Sequence, residues 1–139
     1  MPYVLIYPMF ALVVLTFVVG AITLITRINA VRSGKLDARY FKTYNVGVPT
    51  DAVTKTQRHF SNLFEVPVLF YSGCLAAMMV GAGGTWPQTW AWLFVAARAS
   101  HAWIHIGRNK IYPRMASFLF GFVCVMALWL CVVSKVMNG

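Results

Sequence analysis

Seven polar or ionisable residues recur at helical spacing in two stretches of an otherwise apolar sequence. Residues three, four or seven positions apart lie on one face of a helix. The first face carries Arg58, Ser61, Asn62 and Glu65, and the second carries Arg98, His101 and His105. A further cation, Arg114, follows shortly after the second stretch. Because the cations outnumber the carboxylate, a site built from these residues would bind an anion.

Two other interpretations of these residues are open. The polar residues of the two faces could serve only to hydrogen-bond neighbouring helices together. Alternatively, His101 and His105 are four residues apart, a spacing that can place two imidazoles on one metal ion, with Glu65 as a third ligand. The neighbouring arginines would repel a cation, so we predict no metal site. No nucleic-acid-binding motif accompanies the basic residues, so we predict no nucleic-acid partner either.

The composition places these residues in a membrane protein. Of the 139 residues, 60% are hydrophobic and 11% are charged, whereas soluble domains are about half apolar and a quarter charged. A helix needs about 20 apolar residues to cross a bilayer. Four stretches are of that order, at residues 3–25, 60–83, 89–106 and 115–133. We therefore predict an all-α fold in which residues 1–139 form a single domain, an integral membrane four-helix bundle.

The positions of lysine and arginine predict how this bundle is oriented. The connections after the first and third spans are rich in both residue types, whereas the connection after the second span has neither. Both basic connections should therefore lie in the cytoplasm, and both termini should lie outside. We expect the long first loop, Ser33 to Gln57, to pack over the cytoplasmic mouth of the bundle. The basic face should also attract anionic membrane lipids.

The depth of the charged residues favours a pocket over a pore. Glu65 and Arg98 both lie about 12 Å from the cytoplasmic ends of their spans at 1.5 Å per residue. Since a buried charge without a partner is costly, we predict that the two residues pair. The polar residues occupy only the cytoplasmic half, whereas a transport path needs them across the whole bilayer. The pattern therefore predicts a polar pocket with an apolar floor, open to the cytoplasm.

Two motifs resemble those of the MAPEG family, the membrane-associated proteins in eicosanoid and glutathione metabolism. The stretch R-H-F-S-N-L-F-E at residues 58–65, followed by V-P-V-L-F-Y, resembles the second-helix signature of the family. The stretch from Arg98 through His101 to Arg114 is similar to the third helix and third loop. The resemblance covers nearly the whole chain. It implies a homotrimer with a glutathione site between adjacent subunits, open to the cytoplasm.

The resemblance also implies a role for individual residues. Arg114 would be catalytic and would stabilise the glutathione thiolate. Glutathione binding would involve Arg58, Asn62, Glu65, Arg98, His101 and His105, with Arg27 or Arg32 from the first helix. Three positions depart from the family pattern: Ser61 stands where many members have an arginine, and His105 and Phe118 stand where some have a tyrosine.

The resemblance therefore implies a glutathione-dependent membrane transferase or peroxidase that acts on lipophilic small molecules, with glutathione as substrate or cofactor. The alternative is a non-enzymatic trimeric membrane protein. Such a protein would bind a lipid or an amphipathic anion, or would serve as a subunit of a larger membrane complex. In both cases the predicted location is a bacterial cytoplasmic membrane, where the multi-pass chain is surrounded by membrane lipids.

Overall fold

Helices make up all the regular structure in the described part of the chain, which covers residues 3–44, 47–106 and 111–138 of a computed structural model. The helices are α1 (Ile6–Arg32), α2 (Tyr40–Thr43), α3 (Asp51–Asn62), α4 (Val66–Met79), α5 (Thr85–Ile106) and α6 (Ile111–Asn138). The all-α prediction is confirmed. It has a simple physical basis, because backbone polar groups in lipid must hydrogen-bond within their own segment.

Three helical segments of the described chain are long and apolar enough to cross a membrane, at residues 6–32, 51–79 and 111–138. The second segment combines α3 and α4. Helix α5 has 22 residues, about 33 Å at 1.5 Å per residue, which is also long enough to cross. It is not among the apolar three because it carries polar residues such as Arg98 and His101. The membrane bundle is therefore confirmed, while the four crossings remain a prediction.

The predicted second span is interrupted between α3 and α4. Residues 63–65 form a turn there. Pro67 explains the break, because proline lacks a backbone N–H and its ring clashes with the carbonyl four residues earlier, that of Leu63. In the last turn of α3 the hydrogen bonds join residues three positions apart, as in a 3₁₀-helix. The Leu63 N–H donates to the Phe60 carbonyl over 3.1 Å, and the Phe64 N–H donates to the Ser61 carbonyl over 3.0 Å. No described backbone N–H donates to the Asn62 carbonyl across this break, so that carbonyl is available to a partner outside its own helix.

The basic residues gather at one end of the bundle, here called the basic end. It comprises the end of α1, the first loop, α3 and the first turn of α6, and its described cations are Arg27, Arg32, Lys35, Arg39, Lys42, Lys55, Arg58 and Arg114. Part of the predicted loop is helical, since α3 already begins at Asp51. The Thr50 hydroxyl caps this helix by accepting from the Val53 N–H over 3.4 Å. The Asp51 carboxylate, in the first turn, also stabilises α3 through its interaction with the positive end of the helix dipole.

Helix α5 occupies the centre of the packing. It packs most extensively against α6 and also contacts α1, α3 and α4. The largest cluster of buried side chains lies away from the basic end and includes Leu5, Leu12, Val66, Phe70, Cys74, Ala77, Phe94, Cys124, Leu128 and Val132. This apolar cluster holds the helices together, so polar side chains at the basic end do not interrupt the main hydrophobic core.

Gly73 allows Trp129 to approach the backbone of α4. The Trp129 indole Nε1–H donates to the Leu69 carbonyl over 3.0 Å. A Cβ at position 73 would lie 3.0 Å from that nitrogen and 3.2 Å from Leu128 Cδ2. We expect Gly73→Ala to lower the free energy of unfolding by about 1–3 kcal/mol through overpacking, as measured by thermal unfolding in detergent. At Gly84 no described atom lies within 4 Å of the added Cβ, so Gly84→Ala should cost less than about 0.5 kcal/mol. Equal losses in the two variants would contradict the packing argument.

Candidate functional site

A cavity of about 700 Å³ opens at the basic end between α3, α5, α6 and the first loop. This volume is within the usual range for small-molecule sites, about 300–1,000 Å³. The lining residues are Tyr40, Pro49, Thr54, Gln57, Arg58, Ser61, Asn62, Glu65, His101, Ile111, Arg114, Met115 and Phe118. Tyr40 and Pro49 belong to the first loop and line the cavity. This agrees with the predicted position of the loop over the mouth of the bundle.

The structure brings five of the predicted site residues together on this cavity. Helix α3 supplies Arg58 and Asn62, and the turn that follows supplies Glu65. Arg58 and Asn62 are one helical turn apart and therefore share a face. His101 comes from α5, and Arg114 comes from the first turns of α6. Residues from three helices, up to 56 positions apart in the sequence (114 − 58), thus surround one space.

Arg98 lies behind the cavity wall, where its side chain is fully buried. Its Nη2 donates to the Asn62 carbonyl over 2.7 Å, while Nε and Nη1 find no hydrogen-bond partner among the described residues. The guanidinium carbon lies 5.6 Å from the centre of the Phe118 ring and 6.0 Å from that of Phe94. These cation–π contacts offset part of the cost of burying the charge. Arg98 therefore joins α5 to the broken end of α3.

The predicted ion pair between Glu65 and Arg98 is wrong for the described chain, which shows no such contact. Arg98 is buried, whereas Glu65 is exposed to the cavity. The carboxylate acts on the guanidinium electrostatically, but the hydrogen bond of Arg98 goes to the Asn62 carbonyl instead. The cause is the break at Pro67. Glu65 lies in the turn with φ −95° and ψ −89°, outside helical values, and its side chain lines the cavity without contacting Arg98.

The two arginines of the first helix do not line the cavity described in a single chain. The Arg27 guanidinium carbon lies 5.2 Å from the centre of the Phe41 ring. Arg32 is exposed at the last residue of α1. His105 belongs to α5, but its side chain lies outside the described residues. None of these three predicted site residues therefore has a described side chain on the cavity wall of a single chain.

His101 connects the cavity wall to the backbone of α6. Its Nδ1 is 3.1 Å from the Arg114 carbonyl oxygen. A carbonyl oxygen can only accept, so Nδ1–H is the donor in this bond. The imidazole also packs against Phe118, with ring centroids 5.7 Å apart and planes tilted by 44°. His101 thereby fixes the first turns of α6, and with them the position of Arg114, against α5.

Positive charge exceeds negative charge on the described cavity wall. Arg58 and Arg114 line it together with one carboxylate, that of Glu65. The neighbouring wall is apolar and consists of Ile111, Met115 and Phe118. Among the described residues, no three histidine, cysteine or carboxylate side chains come together as a metal site would need. The arrangement suits an anion with polar groups that lies next to an apolar molecule.

Among the residues at or beside the cavity that were not predicted from the sequence are His59 and Tyr40. His59 is fully buried, and its ring stacks on His101 with centroids 5.3 Å apart and planes 29° apart. A signal for it exists, since His59 lies three residues before Asn62 and adjoins the polar face of α3. Tyr40 lines the cavity from the short helix α2. Because α2 has only four residues, no periodic pattern in the sequence could have indicated the position of Tyr40.

The sequence model of the MAPEG family matches residues 5–134, nearly the whole chain. The match spans both motifs and every residue that lines the cavity. No curated protein and no solved structure matches the chain. The family resemblance of the two motifs is confirmed by a match of this length, and the helices that can cross a membrane agree with it. The chain therefore belongs to the MAPEG family of membrane proteins in eicosanoid and glutathione metabolism.

Proposed function

We propose that the chain is a glutathione-dependent transferase or peroxidase that acts on lipophilic electrophiles, with Arg114 as its catalytic residue. The observation that carries this proposal is the cavity at the basic end, where Arg58, Arg114 and Glu65 adjoin an apolar wall. At neutral pH glutathione has two carboxylates and one ammonium group. Two arginines and one carboxylate complement those charges, which supports glutathione as the substrate that occupies the polar side.

Each residue of the polar wall has a binding role in this proposal. Arg58 pairs with a glutathione carboxylate through its planar guanidinium, which can bind both oxygens at once. Asn62 offers a side-chain amide that both donates and accepts. Glu65, exposed to the cavity, receives the ammonium group. Arg98 acts from behind the wall, because its bond to the Asn62 carbonyl holds the end of α3 in place.

Arg114 has a catalytic role because a nearby cation stabilises the thiolate over the thiol, and the thiolate is the nucleophile. In a transferase reaction the thiolate attacks an electrophilic carbon, a C–S bond forms, and the leaving group departs with the bonding electrons. In a peroxidase reaction the thiolate attacks the terminal oxygen of a hydroperoxide, and the alcohol departs after protonation. The resulting sulfenic acid reacts with a second glutathione to give the disulfide and water. Met115 and Phe118 contact the lipophilic substrate.

The proposed active form is a homotrimer in a bacterial cytoplasmic membrane, with glutathione bound between adjacent subunits. Family membership supports this assembly, since MAPEG proteins are typically trimeric. Large apolar side chains are exposed on the outer faces of α1 and α6, among them Phe17 and Met126, and lipid or neighbouring subunits must cover them. The charge distribution supports an orientation with the basic end in the cytoplasm and both termini outside. In such a trimer Arg27 or Arg32 approaches the ligand of a neighbouring subunit.

One observation favours a second candidate function. Phe118 lines the cavity where some family members have a tyrosine, and a phenyl ring cannot donate a hydrogen bond to a thiol. A cavity without that donor suits a protein that binds a lipid or another amphipathic anion without turnover, or that is a subunit of a larger membrane complex. Glutathione turnover separates the two candidates, since only the enzyme shows it.

A glutathione titration of the detergent-purified protein, read by thiolate absorbance, tests the proposed function. We expect saturable binding in the micromolar to millimolar range. Arg58→Ala should weaken this binding at least about tenfold, since a hydrogen bond to a charged group contributes about 1.5–3 kcal/mol. Purified protein should also turn over a chlorinated nitroaromatic compound or a lipid hydroperoxide.

Arg39→Ala is the matched control for the titration, because it removes one exposed cation of the basic end that does not line the described cavity. We expect it to leave the affinity for glutathione nearly unchanged. Equal losses in the two variants would mean that the general field of the basic end attracts the ligand, and that Arg58 does not contact it. Binding without turnover of either substrate would favour the second candidate function.

A further inference from the structure

We infer that His59 is a positioning residue that sets the place of Arg114 through His101. This inference rests on the proposed function for its effect on catalysis, but the contacts that carry it belong to the protein alone. They form a relay across three helices, from His59 on α3 to His101 on α5 and on to the backbone of Arg114 on α6. We call this set of contacts the histidine relay.

His59 faces the interior of the bundle, although its neighbour in the sequence faces the cavity. Successive residues of a helix point about 100° apart, so Arg58 reaches the cavity while His59 turns inward. The His59 side chain is fully buried and that of His101 is 3% exposed. Polar side chains this deeply buried are costly unless they make specific contacts. The stacked rings occupy the interface between α3 and α5.

The His101 ring is held between two aromatic neighbours. His59 stacks on it with the centroids 5.3 Å apart, and Phe118 packs against it with the centroids 5.7 Å apart. These contacts fix the ring so that Nδ1–H points at the Arg114 carbonyl, 3.1 Å away. Without the His59 ring, His101 gains room to rotate, and the bond to α6 loosens. Because the Arg114 guanidinium extends from that backbone, its place in the cavity changes as well.

The effect on catalysis depends on the distance between the Arg114 guanidinium and the glutathione sulfur. A cation held near the sulfur stabilises the thiolate, and the stabilisation decreases as the cation moves away. Arg58 and Asn62 reach the cavity from α3 without passing through His101. Loss of the His59 ring should therefore impair the chemical step more than glutathione binding. A residue that served only to stabilise the fold would not separate the two effects in this way.

The test is nitrogen NMR on protein with ¹⁵N-labelled histidine in detergent, combined with kinetics. The chain has three histidines, so single substitutions assign their signals. We expect wild-type His101 to show the tautomer protonated at Nδ1, and we expect His59→Ala to weaken that signature. His59→Phe keeps an aromatic ring in the stack and should restore the signature. In the kinetic arm, we expect His59→Ala to lower kcat at least about fivefold, which corresponds to about 1 kcal/mol or more in the activation barrier. The KM for glutathione should change less than about twofold.

Leu12→Ala is the matched control, since Leu12 is also fully buried but belongs to the apolar cluster away from the cavity. It should lower stability while leaving the His101 signature and kcat as they are in the wild type. An unchanged His101 signature in His59→Ala would overturn the inference, as would a kcat loss of the same size in Leu12→Ala. If the wild-type protein does not bind glutathione, the proposed function fails, while the NMR arm still decides whether the histidine relay exists.

Discussion

Replacing Arg114 with alanine is expected to lower the turnover of a glutathione-dependent reaction at least about tenfold, which corresponds to about 1.4 kcal/mol of transition-state stabilisation. The reason is that Arg114 is a cation on the cavity wall that adjoins the apolar side, where it can stabilise the thiolate that attacks the electrophile. The measurement is the steady-state rate with a chlorinated nitroaromatic compound, together with the thiolate absorbance of the bound glutathione. Both signals should decrease together, because both report the thiolate.

Lys135→Ala provides the control for this substitution. Lys135 is a cation near the opposite end of the same helix and does not line the cavity at the basic end. Removing it changes the net charge by the same amount, so it should leave the rate within about twofold of the wild-type value. If Arg114→Ala retains full turnover and thiolate absorbance, Arg114 is not the catalytic residue. A loss of affinity with unchanged kcat would instead assign Arg114 to glutathione binding.

Arg98→Ala is expected to have the largest effect on stability, with a loss of about 2–4 kcal/mol in the free energy of unfolding. Truncation leaves a hole beside Phe94 and Phe118, and it deprives the Asn62 carbonyl of its donor at the broken end of α3. Removing the buried charge also removes its desolvation penalty, which partly offsets these losses. The expected cost is therefore smaller than the sum of the two losses. Thermal or denaturant unfolding in detergent, followed by tryptophan fluorescence, measures the change.

Two further substitutions show which contact of Arg98 matters. Arg98→Met refills much of the space but cannot donate to the Asn62 carbonyl, so its stability should lie between those of Arg98→Ala and the wild type. Glu65→Gln should cost less than about 1 kcal/mol, since the carboxylate is exposed and makes no ion pair with Arg98 in the described chain. If Glu65→Gln destabilises the protein as much as Arg98→Ala, the assembled protein contains the direct pair that the single chain lacks.

The sequence by itself determined that the protein is helical and lies in a membrane. This follows from local properties: long apolar runs require internally bonded backbone, and few charges interrupt them. It also determined that Arg58 and Asn62 share a face of α3, because helical periodicity is a local property too. The two motifs were sufficient to identify the family, which the match over residues 5–134 confirms.

Only the tertiary structure decided which polar residues reach the cavity. Arg98 and His101 are three residues apart on α5 and both are buried, yet His101 lines the cavity, whereas Arg98 does not and lies against Phe118. Periodicity gives the face of a helix, but the neighbouring helices determine how deeply each side chain on that face is buried. At the break before Pro67, Glu65 lines the cavity without pairing with Arg98, and the Asn62 carbonyl accepts a hydrogen bond from Arg98 instead. Depth along a span was therefore an insufficient guide to pairing, because two side chains pair only if packing also brings them face to face.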